Sequence, residues 1–333
     1  MSARRGSDIV VGVDPEVTIL GGGPAGSLAA IAALRHGSPV RIAERTQFPK
    51  HKVCGEFLSP EIVPVLERAG VLGAFLSEKP FLVRRMSLHF GSREKCGVLP
   101  EPAYGLSRYT FDRLLWSNAT ALGAQRVDDL AQPTVIAAGR PAGLESRGSR
   151  LFGFKAHFDG PVDDEVALYF LGQAYVGINC VEGGRTNVCG LAPESLLQRY
   201  GFDPQALMET DSALRSRLAP LNRAMKWLFT GPLEFAQQWN FRGAYLAGDA
   251  LSFVDPFTGS GLLCASVTGS LAGLHAARQV PVAEHLRLCR QSISKPFLFS
   301  SILRGIASTE WAERLVSLVP ARVLFRLTRP RSR

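Results

Sequence analysis

The chain has 333 residues, about twice the length of an ordinary domain, with 46% apolar and 20% charged residues. That balance excludes a disordered chain, and the absence of a Gly-X-Y period excludes a collagen. The net charge of +9 comes from 38 basic and 29 acidic residues, and the excess gathers at the two ends instead of in runs interleaved with aromatics, which argues against nucleic-acid binding.

No window of eighteen apolar residues occurs. The nearest, Gly261 to Ala277, is interrupted by Ser266, Thr268, Gly269, Ser270 and Gly273, so no membrane-spanning helix is predicted. The cysteines at 54, 96, 180, 189, 264 and 289 form no C-x-x-C pair and no zinc spacing, so no metal site is expected. Asp8, Asp14 and Glu16 break what would be the apolar core of a signal peptide, and the expectation is a cytoplasmic chain with reduced thiols.

In chain order, Val17 to Leu20 is a short β-branched run that ends in Gly21, Gly22, Gly23, Pro24, Ala25 and Gly26. A stretch of strong helix formers, Ser27 to Arg35, follows and closes at His36 and Gly37. Val40 to Ala43 is a second strand, with Glu44 and Arg45 at its end. The order strand, G-x-G-x-x-G, helix, strand, acid carries a mechanism. Gly21 permits the tight turn, Gly23 lets backbone approach a pyrophosphate, and Gly26 lets the helix pack close to the strand. The helix amino end, from Pro24 and Ala25, then offers free amides and the positive end of its dipole to phosphates. Glu44 is placed to accept hydrogen bonds from ribose hydroxyls. Dinucleotide binding is the prediction, and these residues alone do not separate NAD from FAD.

Phe81 to Leu99 reads as strands, with Met86, Leu88 and Phe90 alternating; Leu106 to Leu115 reads as an amphipathic helix. Residues 151–191 alternate as an antiparallel meander: Phe152, Phe154, Ala156 and Phe158 share one face, and Gly172-Gln173 and Glu182 to Arg185 supply turns. A helical stretch runs from Pro204 to Leu218. Tyr245 to Ala247 is a strand that ends in Gly248 and Asp249, and Pro256, Gly259 and Gly261 lead into a small-residue helix beginning at Leu262. Val282 to Leu327 is helical in pattern, apolar at first and then rich in arginine.

Gly248-Asp249 with the downstream Asp-Pro-Phe-x-Gly-x-Gly resembles the second FAD motif of the aromatic-hydroxylase-like flavoproteins (flavin monooxygenase group A). Lys52, Cys54 and Gly55 resemble the K-x-C-G segment of the geranylgeranyl-reductase-like branch, and Arg108 with Phe111 and Asp112 resembles the family's R-x-x-(L/F)-D-x-x-L helix. The resemblance implies FAD as cofactor, with Asp249 on the ribityl chain, Arg108 in contact with the cofactor and Cys54 beside the isoalloxazine, where it is the candidate catalytic side chain. Taken singly, Asp249 also suits a helix cap, Cys54 a small buried hydrophobe and Arg108 a surface position. His157, Tyr169, Tyr175 and Trp239 read as core or pocket groups rather than acids.

Departures from the family are equally legible. Ala138 stands where the acid of an A-D-G motif is usual, the segment between Gly123 and Thr134 is short, and the aromatic and proline pattern of the geranylgeranyl reductases is matched near Tyr175 by that tyrosine alone. No G-W-x-W-x-I-P occurs, which disfavours a tryptophan halogenase, and Ser260 stands where many relatives carry Glu.

The expected fold class is α/β: a Rossmann-like FAD-binding domain of the G-x-G-x-x-G type with a mixed sheet, an inserted antiparallel substrate sheet and C-terminal helices. The expected boundaries are 1–79, 101–149 and 238–280 for the FAD domain, 80–100 and 150–237 for the substrate domain, and 281–333 for the helical segment. The resemblance implies an FAD-dependent oxidoreductase acting on a lipophilic or polyketide-like small molecule, its flavin reduced by NAD(P)H as transient donor. The alternatives are a monooxygenase of an aromatic substrate acting through a flavin hydroperoxide, and a non-catalytic flavin-binding or membrane-associated partner protein. The basic C-terminal helices raise the expectation of a peripheral membrane contact.

Overall fold

The computed structural model describes residues 15–140, 150–233, 235, 237–238, 243–253 and 259–293. Pro256, Trp239, most of the C-terminal helical stretch and its proposed membrane contact lie outside these residues. Among the described residues no helix is long and apolar enough to cross a membrane.

β1 (Val17–Leu20) leads into α1 (Pro24–Arg35), whose Pro24 fits the first helical turn, where its missing N–H costs nothing. The helix ends as its sequence predicts. Gly37 takes a left-handed φ of +102°, and the Gly37 and Ser38 amides bond back to Leu34 and Ala33. β2 (Val40–Ala43) and a short β3 (Phe57–Leu58) follow, then α2 (Ile62–Arg68) and α3 (Leu72–Ser77). β4 (Phe81–Phe90) and β5 (Arg93–Gly105) form a long hairpin, and α4 (Arg108–Ala121) returns to the first layer, capped by Ser107, which accepts the Thr110 N–H. β6 (Gln125–Val127) and β7 (Val135–Ile136) come next with no hairpin between them, in keeping with the short connection.

The meander is β8 (Leu151–Asp159), β9 (Glu165–Leu171), β10 (Ala174–Val181) and β11 (Arg185–Pro193). The single helix expected over 204–218 is two: after α5 (Glu194–Arg199) come α6 (Pro204–Met208) and α7 (Ser212–Leu218). Asp203 and Asp211 each cap a separate start, so the break at 209–211 is written into local hydrogen bonding. β12 (Asn222–Arg223), β13 (Leu228–Leu233), β14 (Tyr245–Leu246) and the long α8 (Gly261–Ala277) complete the labelled elements, and residues 282–293 are helical.

Two sheets result. One is five-stranded in the order β14-β7-β1-β2-β6, and all its pairings are parallel. The other follows the order β12-β8-β11-β10-β9-β4-β5-β3, with β13 also on β8. It is antiparallel except where β4 and β9 run parallel. The mixed pairing therefore falls in the second sheet, because β4 is joined to β9 by a long excursion through the first layer rather than by a hairpin.

α1 and α8 pack on the parallel sheet through small residues. A Cβ on Gly269 would lie 2.2 Å from the Ala25 carbonyl oxygen, and one on Gly273 would lie 2.0 Å from that of Ala29. The small-residue character of α8 is thus a packing requirement. The second sheet buries Phe154, Ala156, Phe158, Val176, Ile178 and Val188 beneath α5 to α7 and turns its other face to the first layer.

Candidate functional site

The turn after β1 is built as the glycine spacing demands. Gly21 has φ +101°, and a Cβ there would lie 2.4 Å from the Ala137 carbonyl oxygen on the neighbouring strand's end. A Cβ on Gly26 would lie 1.7 Å from the Gly21 carbonyl oxygen, so only glycine lets α1 sit this close to β1. Gly23 differs: the nearest atoms to a Cβ there would be the Lys52 Nζ at 3.9 Å and an Arg108 guanidinium nitrogen at 4.0 Å. Its open side faces a cavity flanked by two cations.

Glu44 closes this loop from the end of β2, accepting the Gly22 N–H at 2.6 Å and the Thr46 N–H at 2.7 Å. Burial raises the Glu44 pKa, but those two amides and the nearby Lys52 charge outweigh it, so the carboxyl is held below its ordinary range. The side chain expected from sequence to accept from a ribose orders the glycine turn.

The second nucleotide-like turn meets the first. Gly248 has φ +60°, a Cβ on it would lie 2.9 Å from that of Ala25, and its N–H bonds to the Thr268 hydroxyl of α8. Asp249 follows. Burial pushes its pKa up, partly opposed by Arg108, Arg140 and Lys52. Arg108 is itself held by Asp112 one helical turn on, through Nε at 2.5 Å and Nη2 at 2.7 Å. Lys52 approaches the same carboxylate at 3.4 Å. Burial lowers the Arg108 pKa and Asp112 more than reverses this, so Arg108 remains a cation.

Segment 52–56 forms the wall between the layers. The Asn187 side-chain amide donates to the Cys54 and Gly55 carbonyls at 3.2 and 2.9 Å. The Glu56 N–H bonds to the Cys54 sulfur at 3.4 Å. Cys54 is half-buried, and desolvation raises its thiol pKa despite the opposing Arg108 charge, which keeps it a thiol at neutral pH. Glu56 is fully buried and pairs with Lys155 and, at 2.7 Å, with His157. His51, Glu56 and His157 are spaced to hold a metal ion, but the Lys155 ammonium already sits on the Glu56 carboxylate, and a second cation would have to displace it.

Between these segments lies one cavity of about 740 Å³, within the range of small-molecule sites. Its walls include Gly21, Gly23, Pro24, Ala25, Glu44, Arg45, Lys52, Cys54, Gly55, Arg108, Gly248, Asp249, Gly259, Gly261 and Leu262. Of the residues expected to bind the cofactor, Gly26 lies outside this lining because its role is the contact with Gly21, and Pro256 lies outside the described residues; His157 and Tyr169 are buried and do not line the cavity.

The opposite wall is the second sheet, where strand register aligns side chains into rows. Phe90, Phe170 and Tyr175 form one, and Leu88, Leu168, Gly177 and Cys189 form another; Lys155 continues the second row but is fully buried against Glu56 and does not reach the cavity. The wall is aromatic and aliphatic over β4 and β9 and becomes small toward β11 and β8, where Cys189, Gly190 and Gly153 line it. Asp112, Glu56, Arg140 and Asn187 were not read from the sequence as site residues. Asp112 carried a signal, an acid four residues after Arg108 in a helix. Arg140 donates to the Pro232 carbonyl and Thr230 hydroxyl 90 or more residues away, a pairing that no local pattern encodes.

No protein-family model matches the chain. A menaquinone reductase of Mycolicibacterium smegmatis is 45% identical over 56 residues, which span 17% of this chain and 14% of that protein. A flavin-dependent halogenase of Armillaria mellea is 32% identical over 124 residues, 33% of this chain and 23% of the halogenase. The chain thus matches less than a quarter of the length of either relative. A flavoprotein/dehydrogenase structure from Cytophaga hutchinsonii superposes with a TM-score of 0.78 at 18% identity, covering 93% of this chain and 90% of that one. With a parallel nucleotide-side sheet, an apposed second sheet and both glycine turns on one cavity, the chain has the fold of these flavoprotein structures, which a geranylgeranyl bacteriochlorophyll reductase-like protein of Thermoplasma acidophilum shares at a TM-score of 0.68 and 19% identity, covering 95% of this chain and 91% of that one.

Proposed function

We propose that this protein is an FAD-dependent oxidoreductase that transfers a hydride to a lipophilic or polyketide-like small molecule, with NAD(P)H as the transient reductant. One observation carries the reading: a single cavity has both glycine turns, Arg108 and Asp249 on one wall and an apolar sheet face on the other. The residues present suit FAD. The open flank of Gly23 at the α1 amino end, between Lys52 and Arg108, suits the pyrophosphate. Glu44 suits the ribose hydroxyls and Asp249 the ribityl chain. The amino end of α8 at Gly261 and Leu262 suits the negative charge that a reduced ring carries.

Bound FAD would supply a two-electron carrier, and the protein supplies position, charge and exclusion of water. The aliphatic and aromatic side chains over β4 and β9 favour an apolar substrate body and keep water from it. Asn179 of β10, on the cavity wall, donates one amide N–H to the Cys180 carbonyl at 3.4 Å and has a second to orient a substrate oxygen. Cys54, protonated by virtue of its burial, is the side chain placed to hold a proton at the junction of the two walls.

An oxygen-dependent monooxygenase of an aromatic substrate is the second reading, favoured by the partial match to a flavin-dependent halogenase and by the aromatic row Phe90, Phe170 and Tyr175. Anaerobic reduction of the FAD-loaded protein by NADPH or NADH, then addition of candidate substrates with and without oxygen, tests both. Product formed without oxygen supports the reductase, and an absolute oxygen requirement selects the second reading. A purified chain that takes up no FAD refutes both.

A further inference from the structure

Three unusual features coincide at Glu56. Its backbone has φ +53°, a left-handed conformation that a glutamate adopts rarely. Its side chain is fully buried, and it faces Lys155, which is also fully buried. Buried ion pairs are a weak source of stability, so one retained at this depth invites a different explanation.

The partners of Glu56 supply it. One carboxylate oxygen takes the Lys155 ammonium and, at 2.6 Å, the backbone N–H of Arg108 at the start of α4. The other takes His157 Nε2 at 2.7 Å. Lys155 also reaches the Lys52 carbonyl at 3.3 Å, and the Glu56 carbonyl accepts the Leu106 N–H at 3.2 Å. One side chain therefore ties together the segment bearing Lys52 and Cys54, the helix start bearing Arg108, and strand β8 of the second sheet.

Resting on the FAD reading above, we infer that Glu56 is a positioning residue: with Lys155 and His157 it fixes segment 52–55 and the amino end of α4 as one rigid wall against the cofactor. Burial alone would push its carboxyl pKa up, but the Lys155 charge and the His157 contact hold it down, so the group stays an anion able to serve all three donors. Neither Lys155 nor His157 lines the cavity, so their effect on the cofactor passes through Glu56.

The test is FAD titration of the full-length protein, stripped of flavin and followed by fluorescence quenching, together with the midpoint potential of the bound flavin and urea unfolding. Glu56→Gln keeps an acceptor for the Arg108 amide but removes the charge. It is expected to weaken FAD binding at least about tenfold and to move the potential. In Glu56→Gln/Lys155→Met no buried charge is left unpaired, so the urea midpoint should recover while FAD affinity does not. Recovery of both would reduce the cluster to a structural pair and overturn the inference. Should Glu56→Gln fail to fold, His157→Gln, which leaves the Glu56–Lys155 pair intact, decides: weaker FAD binding at an unchanged urea midpoint supports the inference, and unchanged binding overturns it. A native chain that binds no FAD brings down the functional reading and this inference together. A native chain that binds it, with a folded Glu56→Gln that binds equally at an unchanged potential, refutes the inference alone.

Discussion

Gly23 and Gly26 sit three residues apart in one motif, yet alanine should act on them in opposite ways. At Gly26 the new methyl would lie 1.7 Å from the Gly21 carbonyl oxygen and 3.4 Å from the Ala137 side chain. The obstacle is backbone, so no rotamer relieves it, and α1 must move off β1 by more than about 1 Å. Overpacking of this kind costs about 3 kcal/mol at the upper end, and the helix-propensity gain of alanine returns about 1 kcal/mol, leaving a net loss of about 2 kcal/mol. At Gly23 the methyl meets nothing closer than 3.9 Å, and the residue's φ of −67° suits any side chain. Gly23→Ala should therefore leave the flavin-free fold intact or stabilise it by about 0.4–1 kcal/mol through the unfolded chain. The same methyl projects where the phosphates are proposed to lie, and a tenfold loss of affinity corresponds to about 1.4 kcal/mol. Urea unfolding of the flavin-free variants, followed by FAD titration, separates the two effects. Native-like FAD affinity in Gly23→Ala, or native-like stability in Gly26→Ala, would refute the reasoning.

Three further outcomes are expected. His285 is fully buried, donates Nε2–H to the Leu246 carbonyl at 2.9 Å and lies 3.0 Å from His275, and burial pushes its pKa down to about 4. The unfolded chain takes up that proton near pH 6.5 while the folded one refuses it, so stability is fully present above about pH 6.5 and falls toward pH 4, by on the order of 3 kcal/mol. Urea midpoints between pH 7 and pH 4.5 should show this slope, and it should shrink in His285→Gln; an equal slope in that variant removes His285 as the cause. Cys54→Ser should retain FAD but turn over at least about tenfold more slowly, and unchanged turnover would take the thiol out of the chemistry. Glu182 accepts from the Ser107 N–H and the Thr110 hydroxyl, each at 2.7 Å, at the start of α4. Glu182→Ala should cost about 1–2 kcal/mol, and an unmoved urea midpoint would show that the helix start is held by other contacts.

What the amino-acid order determined by itself was local. Strand, glycine turn, helix and acid follow one another over 17–44, and each step rests on a short-range cause: β-branched strand formers, glycines where a Cβ cannot fit, and a Pro24 start with a Gly37 stop for α1. Alternation in β8 likewise set Phe154, Ala156 and Phe158 on one face, which places Lys155 and His157 on the other. Only the tertiary structure decided what those two side chains meet. Glu56 lies 99 and 101 residues from them in sequence, and nothing near it marks an acid that must be buried. The parallel seam between β4 and β9 and the reach of Arg140 across to β13 were hidden for the same reason. Periodicity and capping act within a few residues, whereas charge pairing and strand register across the chain are settled by which surfaces pack together.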